Sequence, residues 1–352
     1  MIRANVHYFG WAYIITILGL MAAFALGWAY THTLAGAGTF LLIGAILAVL
    51  EISLSFDNAI VNANTLKDMD PKWQRRFLTW GILIAVFGMR IIFPLAVVSI
   101  AASVGPIEAI KMAIVAPHEY ALRMNEAHLS IAAFGGTFLM MVALNFFINR
   151  EKDIHWISFV EHYLQRCAAI RGFSIILVLI IATGVTLYLD SAEQRTFLIA
   201  AVAGLAVFIF VESMSRLLDS AGQSGDAIRS GARSGGLGAF LYLEVLDSSF
   251  SFDGVIGAFA ITQNLFLIAI GLGIGAMYVR SMTIMIVEKK TLAQFRFIEH
   301  GAFYSILALS FIMFAQSIFH IPELVTGLVG ATLIGLSLLS SIKFNRLNKE
   351  AQ

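Results

Sequence analysis

Two stretches of this sequence place carboxylates, hydroxyls and amides where uninterrupted apolar residues would be expected. Glu51-Ile-Ser-Leu-Ser-Phe-Asp57-Asn58-Ala-Ile and Asp247-Ser-Ser-Phe-Ser-Phe-Asp253-Gly254-Val-Ile share an acidic residue, Ser, Ser-Phe-Asp and Ile at matching places. At about 100° per residue, a helix brings Glu51, Ser55, Asn58 and Asn62 within roughly 60° of one another as a polar stripe. Glu244, Asp247, Ser251 and Gly254 form the counterpart stripe. Asp57 and Asp253 lie about 120° round the helix from the acidic residue that opens each motif. The two carboxylates of a motif therefore either converge through unwinding near Ser-Phe-Asp or serve adjacent sites. Carboxylate, amide and hydroxyl oxygens without thiolate are the ligands expected by hard cations such as Mn, Ca or Mg.

The segments that carry these groups read as membrane spans. Of 352 residues, 59% are hydrophobic and 13% charged, and the mean hydropathy is +0.85. That is more apolar surface than a soluble globule buries. A formal net charge of +1 leaves no basic excess for nucleic acid. The single cysteine, Cys167, offers neither a disulfide nor a Cys/His metal spacing. Apolar runs long enough to cross roughly 30 Å of hydrocarbon occur near 11–30, 39–65, 78–104, 129–149, 172–190, 196–215, 237–262, 265–287, 297–319 and 323–342. These predict an all-α, polytopic membrane helix bundle of about ten transmembrane helices. Between the runs, 18 of the 23 Lys and Arg fall on one side, whereas the other side holds Lys111, Arg123 and Arg195. By the positive-inside rule both termini are cytoplasmic, in a multi-pass protein of the plasma (inner) membrane.

The second and seventh runs, which carry the two motifs, cross in opposite directions. Gly81 precedes Arg90 in the third run as Gly271 precedes Arg280 in the eighth, which extends the match. Two inverted-topology repeats follow, an arrangement recurrent in transporters with sites near the midplane. The expected organisation is an extra N-terminal helix and loop (1–38), a first repeat (39–170), connecting helices with a Gly/Ser-rich linker (171–236), a second repeat (237–345) and a cytoplasmic tail (346–352). Each charge at a helix centre costs about 2.5 to 3.5 kcal/mol to insert. The spans hold Glu51, Asp57, Glu244, Asp247 and Asp253 against Arg90 and Arg280. A bound cation or protons would offset the excess negative charge. The arginines are expected as ion-pair partners or as stand-ins for an absent metal, not as ligands.

These motifs resemble the TerC family, within the LysE-type transporter superfamily. Glu244-Val-Leu-Asp247-Ser-Ser-Phe-Ser-Phe-Asp253, followed by Ala258-Phe-Ala-Ile-Thr262, is similar to the E-x-x-x-D-x-x-F-S-x-D and A-x-F-A-I-T patterns of that family. Glu51 with Leu54-Ser55-Phe56-Asp57-Asn58-Ala59 is similar to its E-x-x-L-S-x-D-N-A. The resemblance covers most of 40–345 and implies a manganese exporter whose site includes Glu51, Asp57, Asp247 and Asp253. Gly254 departs from the Ser usual there, and ten spans exceed the usual seven or so. Around that core, the residue reading adds Asn58, Glu244, Ser55 and Ser251 as metal ligands and Asn62 as a supporting group.

Phe159-Val-Glu161-His162 and Phe297-Ile-Glu299-His300 repeat at helix ends. A solvated or helix-capping role is expected, with a metal or proton relay as the alternative because His titrates near neutrality. The loop 105–128 reads as an amphipathic interfacial helix, and Gly271 to Gly275 as a close-packing pair. No H-E-x-x-H, G-x-S-x-G, P-loop or dinucleotide fingerprint is present, so catalysis and organic cofactors are not expected. A proton-coupled exporter of a small organic solute, or a non-transporting membrane metal sensor or subunit, would use the same carboxylates. The expected partners are the lipid bilayer, a divalent metal ion and protons.

Overall fold

The computed structural model describes residues 2–350 except 82–83, 102–103, 150–151, 168, 171, 222–235 and 320. Most of the Gly/Ser-rich linker thus lies outside the described residues. The elements are α1 (Ile2–Thr31), α2 (Leu34–Leu54), α3 (Phe56–Leu66), α4 (Pro71–Arg76), π-helical stretches at Phe77–Gly81 and Ile84–Ile92, α5 (Phe93–Ala101), α6 (Pro106–Val115) and α7 (Pro117–Glu126). They continue as α8 (His128–Ile148), α9 (Ser158–Cys167), α10 (Phe173–Thr186), α11 (Ser191–Ala221), α12 (Leu237–Ile261), α13 (Leu265–Glu288), α14 (Thr291–Gln294), α15 (Ile298–Gln316) and α16 (Glu323–Glu350). No strand occurs among the described residues.

Seven of these helices are apolar and long enough to cross a membrane: His7–Thr31, Leu34–Leu54, His128–Ile148, Ser191–Leu218, Leu265–Glu288, Ile298–Gln316 and Val325–Leu347. This is a multi-pass membrane protein. Three of the ten expected spans differ from the rest. The third is divided between the two π-helical stretches and α5. The fifth, α10, has 14 residues, about 21 Å at 1.5 Å per residue. The seventh, α12, has 25 residues and three carboxylates along its length.

Local chemistry explains several boundaries. The Thr33 hydroxyl accepts from the Gly36 N–H at 3.1 Å and starts α2. The loop 105–128 forms two helices instead of one. Pro117 has no N–H and disfavours helical geometry at Ala116, so α6 ends there and α7 begins with proline in its first turn. Both pack inward through Ala109, Ala113, Tyr120 and Met124.

The chain divides into two compact units. The first comprises Met1–Phe56, Gln74–His128 and Phe250–Met285; the second comprises Asp57–Trp73, Leu129–Ser249 and Ile286–Gln352. The chain thus passes from one unit to the other within each acidic motif. In the first unit α1 packs on α2, and Tyr120 meets Phe259 with ring centroids 5.8 Å apart. In the second, α15 packs on α16, with aromatic contacts Phe138–Phe208 and Phe197–Phe314 in the core.

Candidate functional site

In the first unit, Glu51 and Arg90 form a buried ion pair, each 3% exposed. The Ser55 hydroxyl donates to the same carboxylate oxygen at 3.2 Å. Arg90 projects from a π-helical stretch, a geometry common at functional positions. Close glycine packing fixes the height of Glu51: a Cβ on Gly275 would overlap Glu51 Cβ and Cγ, and one on Gly271 would press on Leu47. The Gly-x-x-x-Gly pair therefore seats α13 against α2. A Cβ at Gly254 would stand 3.1 Å from Glu51 Oε2, so the residue that departs from the resembled pattern leaves room for this carboxylate. Arg280 donates through Nε to the Leu78 carbonyl at 2.7 Å, outside the Glu51 pair. Ser251 is buried, and its hydroxyl has no partner among the described residues. The side chain of Asp253 lies outside the described residues.

The second unit holds the other carboxylates. Asp57, in the first turn of α3, is 5% exposed. Its Oδ1 accepts from the Asn58 N–H and its Oδ2 from the Ser305 hydroxyl, both at 2.8 Å. The amide nitrogens of Asn58 and Asn62 both donate to Asp247 Oδ1, the latter at 3.4 Å. Glu244, one turn before Asp247, is 8% exposed. Asn58 Oδ1, Asn62 Oδ1 and Glu244 Oε1 are buried acceptors with no donor among the described residues. None of Asp57, Glu244 and Asp247 has a basic partner among the described residues.

The members of the expected stripe divide into two groups. Glu51 and Ser55 meet Arg90, whereas Asn58 and Asn62 meet Asp247. The first motif is interrupted at Ser55, whose N–H still reaches the Glu51 carbonyl at 3.0 Å; α12 runs unbroken through the second motif. Among the described residues, no three His, Cys, Asp or Glu side chains are grouped as a metal site would require. Any cation held here would draw on the amide and hydroxyl oxygens as well.

A third cluster lies in the second unit. Glu161 is 2% exposed, which corrects the solvated reading and leaves the capping one. Its Oε1 accepts from the N–H groups of Trp156 and Ile157 at 3.1 and 3.0 Å, just ahead of α9, and from the Tyr304 hydroxyl at 3.3 Å. His155 and His300 approach Oε2 at 3.2 and 3.4 Å. His162 is exposed on α9, and Glu299 pairs with Lys67 at 3.8 Å. Ser305, His155 and Tyr304 belong to neither acidic motif, and Gly275 adjoins Glu51 only through tertiary packing. Ser305 is one of three hydroxyl residues in an apolar helix, with Tyr304 and Ser310, and no spacing sets it apart.

No curated protein and no solved structure matches the chain. A family profile described as "Protein of unknown function (DUF475)" matches residues 56–348. That match takes in α3, with Asp57, and continues almost to the end of α16, and on its extent the chain belongs to the DUF475 family.

Proposed function

We propose that the protein exports a divalent metal ion, with manganese the expected ion, by alternating access. One observation carries the reading. Asp57, Glu244 and Asp247 have no basic partner among the described residues, while Asn58 Oδ1, Asn62 Oδ1 and Glu244 Oε1 are buried acceptors without donors. A hard cation supplies the missing positive charge and takes such oxygens as ligands. Glu51, Ser55, Ser251 and Asp253, in the first unit, are the further ligands that the sequence motifs propose. Arg90 neutralises Glu51 in the conformation described, and Ser305 donates to Asp57 while Asn58 and Asn62 donate to Asp247 until an ion displaces those donors.

The alternation of basic loops supports ten crossings with both termini in the cytoplasm of a plasma (inner) membrane protein. The paired motifs support two repeats of opposite orientation, and the resemblance to the TerC family supports manganese. Ten crossings require the π-helical region with α5, and α10 and α12, to span along with the seven long apolar helices.

The test is divalent-cation flux in proteoliposomes with Mn, Ca and Mg, comparing wild type with Asp57→Asn, Asp247→Asn and Asp253→Asn. Manganese flux lost in the variants supports the reading. Absence of any divalent flux in wild type, under proton gradients of either sign, overturns it. Protonation also offsets unpaired carboxylates, so a proton-coupled exporter of a small organic solute is the second reading. Metal raises the Tm of the purified protein only under the first. A Tm shift without flux would identify a metal-sensing subunit instead.

A further inference from the structure

Glu161 accepts three hydrogen bonds on Oε1, from Trp156 N–H, Ile157 N–H and Tyr304, and its Oε2 faces two imidazole nitrogens, His155 Nδ1 at 3.2 Å and His300 Nε2 at 3.4 Å. Oε1 is held as an acceptor, so a proton on this carboxyl could sit only on Oε2, shared with His155 Nδ1; Glu161 is therefore either a carboxylate or one end of a proton shared with an imidazole. A buried carboxylate needs a positive charge close by. The groups that face Oε2 are both imidazole nitrogens, so the charge source in direct contact with Glu161 is a proton on a neighbouring base.

The neighbours identify where that proton goes. His300 is 3% exposed. Its Nε2 faces two acceptors, the Ile154 carbonyl at 2.8 Å and Glu161 Oε2 at 3.4 Å, so Nε2 carries a hydrogen. Its Nδ1 is buried with no hydrogen-bond partner. That nitrogen is the open position of the cluster, and a proton there makes an imidazolium held against Glu161. His155 Nδ1 likewise faces Glu161, and its ring lies 4.2 Å from that of the exposed His162.

We propose that His300, Glu161 and His155 form a binding site for a single proton, distinct from the carboxylates of the two acidic motifs. The other groups facing the site are Lys152 on the preceding loop, Lys67 on α3, Glu299 and Tyr304 on α15, and His162 on α9. The Lys152 ammonium is buried without a hydrogen-bond partner, over the face of Phe146. Burial lowers its pKa to about 7 against the opposing pull of Glu299 and Glu161, so Lys152 is poorly placed to serve as the permanent counter-charge. Lys67 is engaged with Glu299 and is 41% exposed. The imidazoles are therefore the groups that hold the charge. The charge alternation places this end of the bundle in the cytoplasm. If the exporter reading holds, a proton bound here supplies the counter-charge to a departing cation; the binding site itself does not depend on that reading.

The experiment is a histidine-selective 15N NMR titration of the full-length protein in lipid bilayers between pH 5 and 9, with His300→Gln and His155→Gln assigning the resonances. A buried imidazole should pass from the Nε2–H form to the doubly protonated form. Glu161→Gln should lower its proton affinity about tenfold or more, the effect of losing an opposite charge at hydrogen-bond distance. Lys152→Met, which removes a like charge, should raise that affinity and provides a readout if Glu161→Gln fails to fold. Titration of the exposed histidines alone overturns the proposal, as does a His300 resonance that neither variant moves. Because no transported ion enters the measurement, loss of the flux result would leave this outcome intact, and the reverse also holds.

Discussion

The Ser305 hydroxyl donates to Asp57 Oδ2 at 2.8 Å, across 248 positions of sequence. With the Asn58 N–H it accounts for both oxygens of a carboxylate buried to 5% exposure. Ser305→Ala should destabilise the protein by about 1.5 to 3 kcal/mol, as expected for a hydrogen bond to a charged group. In an Asp57→Asn background the same substitution should have a much smaller effect. Thermal unfolding of the four proteins measures the coupling, and additive losses would remove Ser305 as the brace of Asp57. If Asp57 ligates a cation, Ser305→Ala should also reduce the Tm gain on adding manganese.

Glu51 and Arg90 are expected to behave as one unit. Removing either partner alone, by Glu51→Gln or Arg90→Met, leaves a buried charge uncompensated and should destabilise by about 3 to 5 kcal/mol. The double variant should lose much less than the sum. Denaturation in detergent of the single and double variants decides the matter.

Gly275→Ala tests the seat of Glu51. The added methyl would strike Glu51 Cβ and Cγ. Overpacking of this kind costs about 1 to 3 kcal/mol, against a gain near 1 kcal/mol in helix propensity. A lower Tm is expected, whereas Gly335→Ala, with nothing within 4 Å of the new Cβ, should hold or raise it.

Lys152 gives a pH dependence with a definite sign. Its pKa falls from an ordinary 10.5 to about 7 on burial. Between those values the unfolded chain holds more protons than the folded one, so stability attributable to Lys152 rises as pH increases from about 7 toward 10.5. Lys152→Met should remove that portion of the slope in Tm measured from pH 7 to pH 10.

Much of this was legible in the sequence, for physical reasons that also mark where reading stops. Hydropathy and helical period suffice to mark the apolar helices, because both depend on residues a few positions apart; the break of the first motif at Ser55, which divides Glu51 and Ser55 from Asn58 and Asn62, was not legible in them. The partner of Asp57 escaped because Ser305 is one of three hydroxyl residues in an apolar helix and the contact is purely tertiary. Unwinding near Ser-Phe-Asp was an alternative for either motif, and only the first is interrupted: α2 ends at Leu54, while α12 continues through Ser251. Glu161 reads from sequence as a solvated or helix-capping residue; the main-chain donors at 156 and 157 are local, whereas its contact with Tyr304 of α15 is tertiary and no local pattern reveals it. The loop 105–128 forms two helices rather than one because Pro117 breaks it.

The glycines of α13 also act as an alignment key. Gly271 faces Leu47 and Gly275 faces Glu51, so α2 meets two side-chain-free notches four residues apart. Sliding α13 by four residues, about 6 Å, would bring Val279 to the level of Glu51 in one direction and Leu267 to the level of Leu47 in the other. Either step replaces a notch with a branched side chain. Two notches without a third admit a single register, so these helices cannot ratchet past each other, and the depth of Glu51 along α13 is set as firmly as a tooth in its gear.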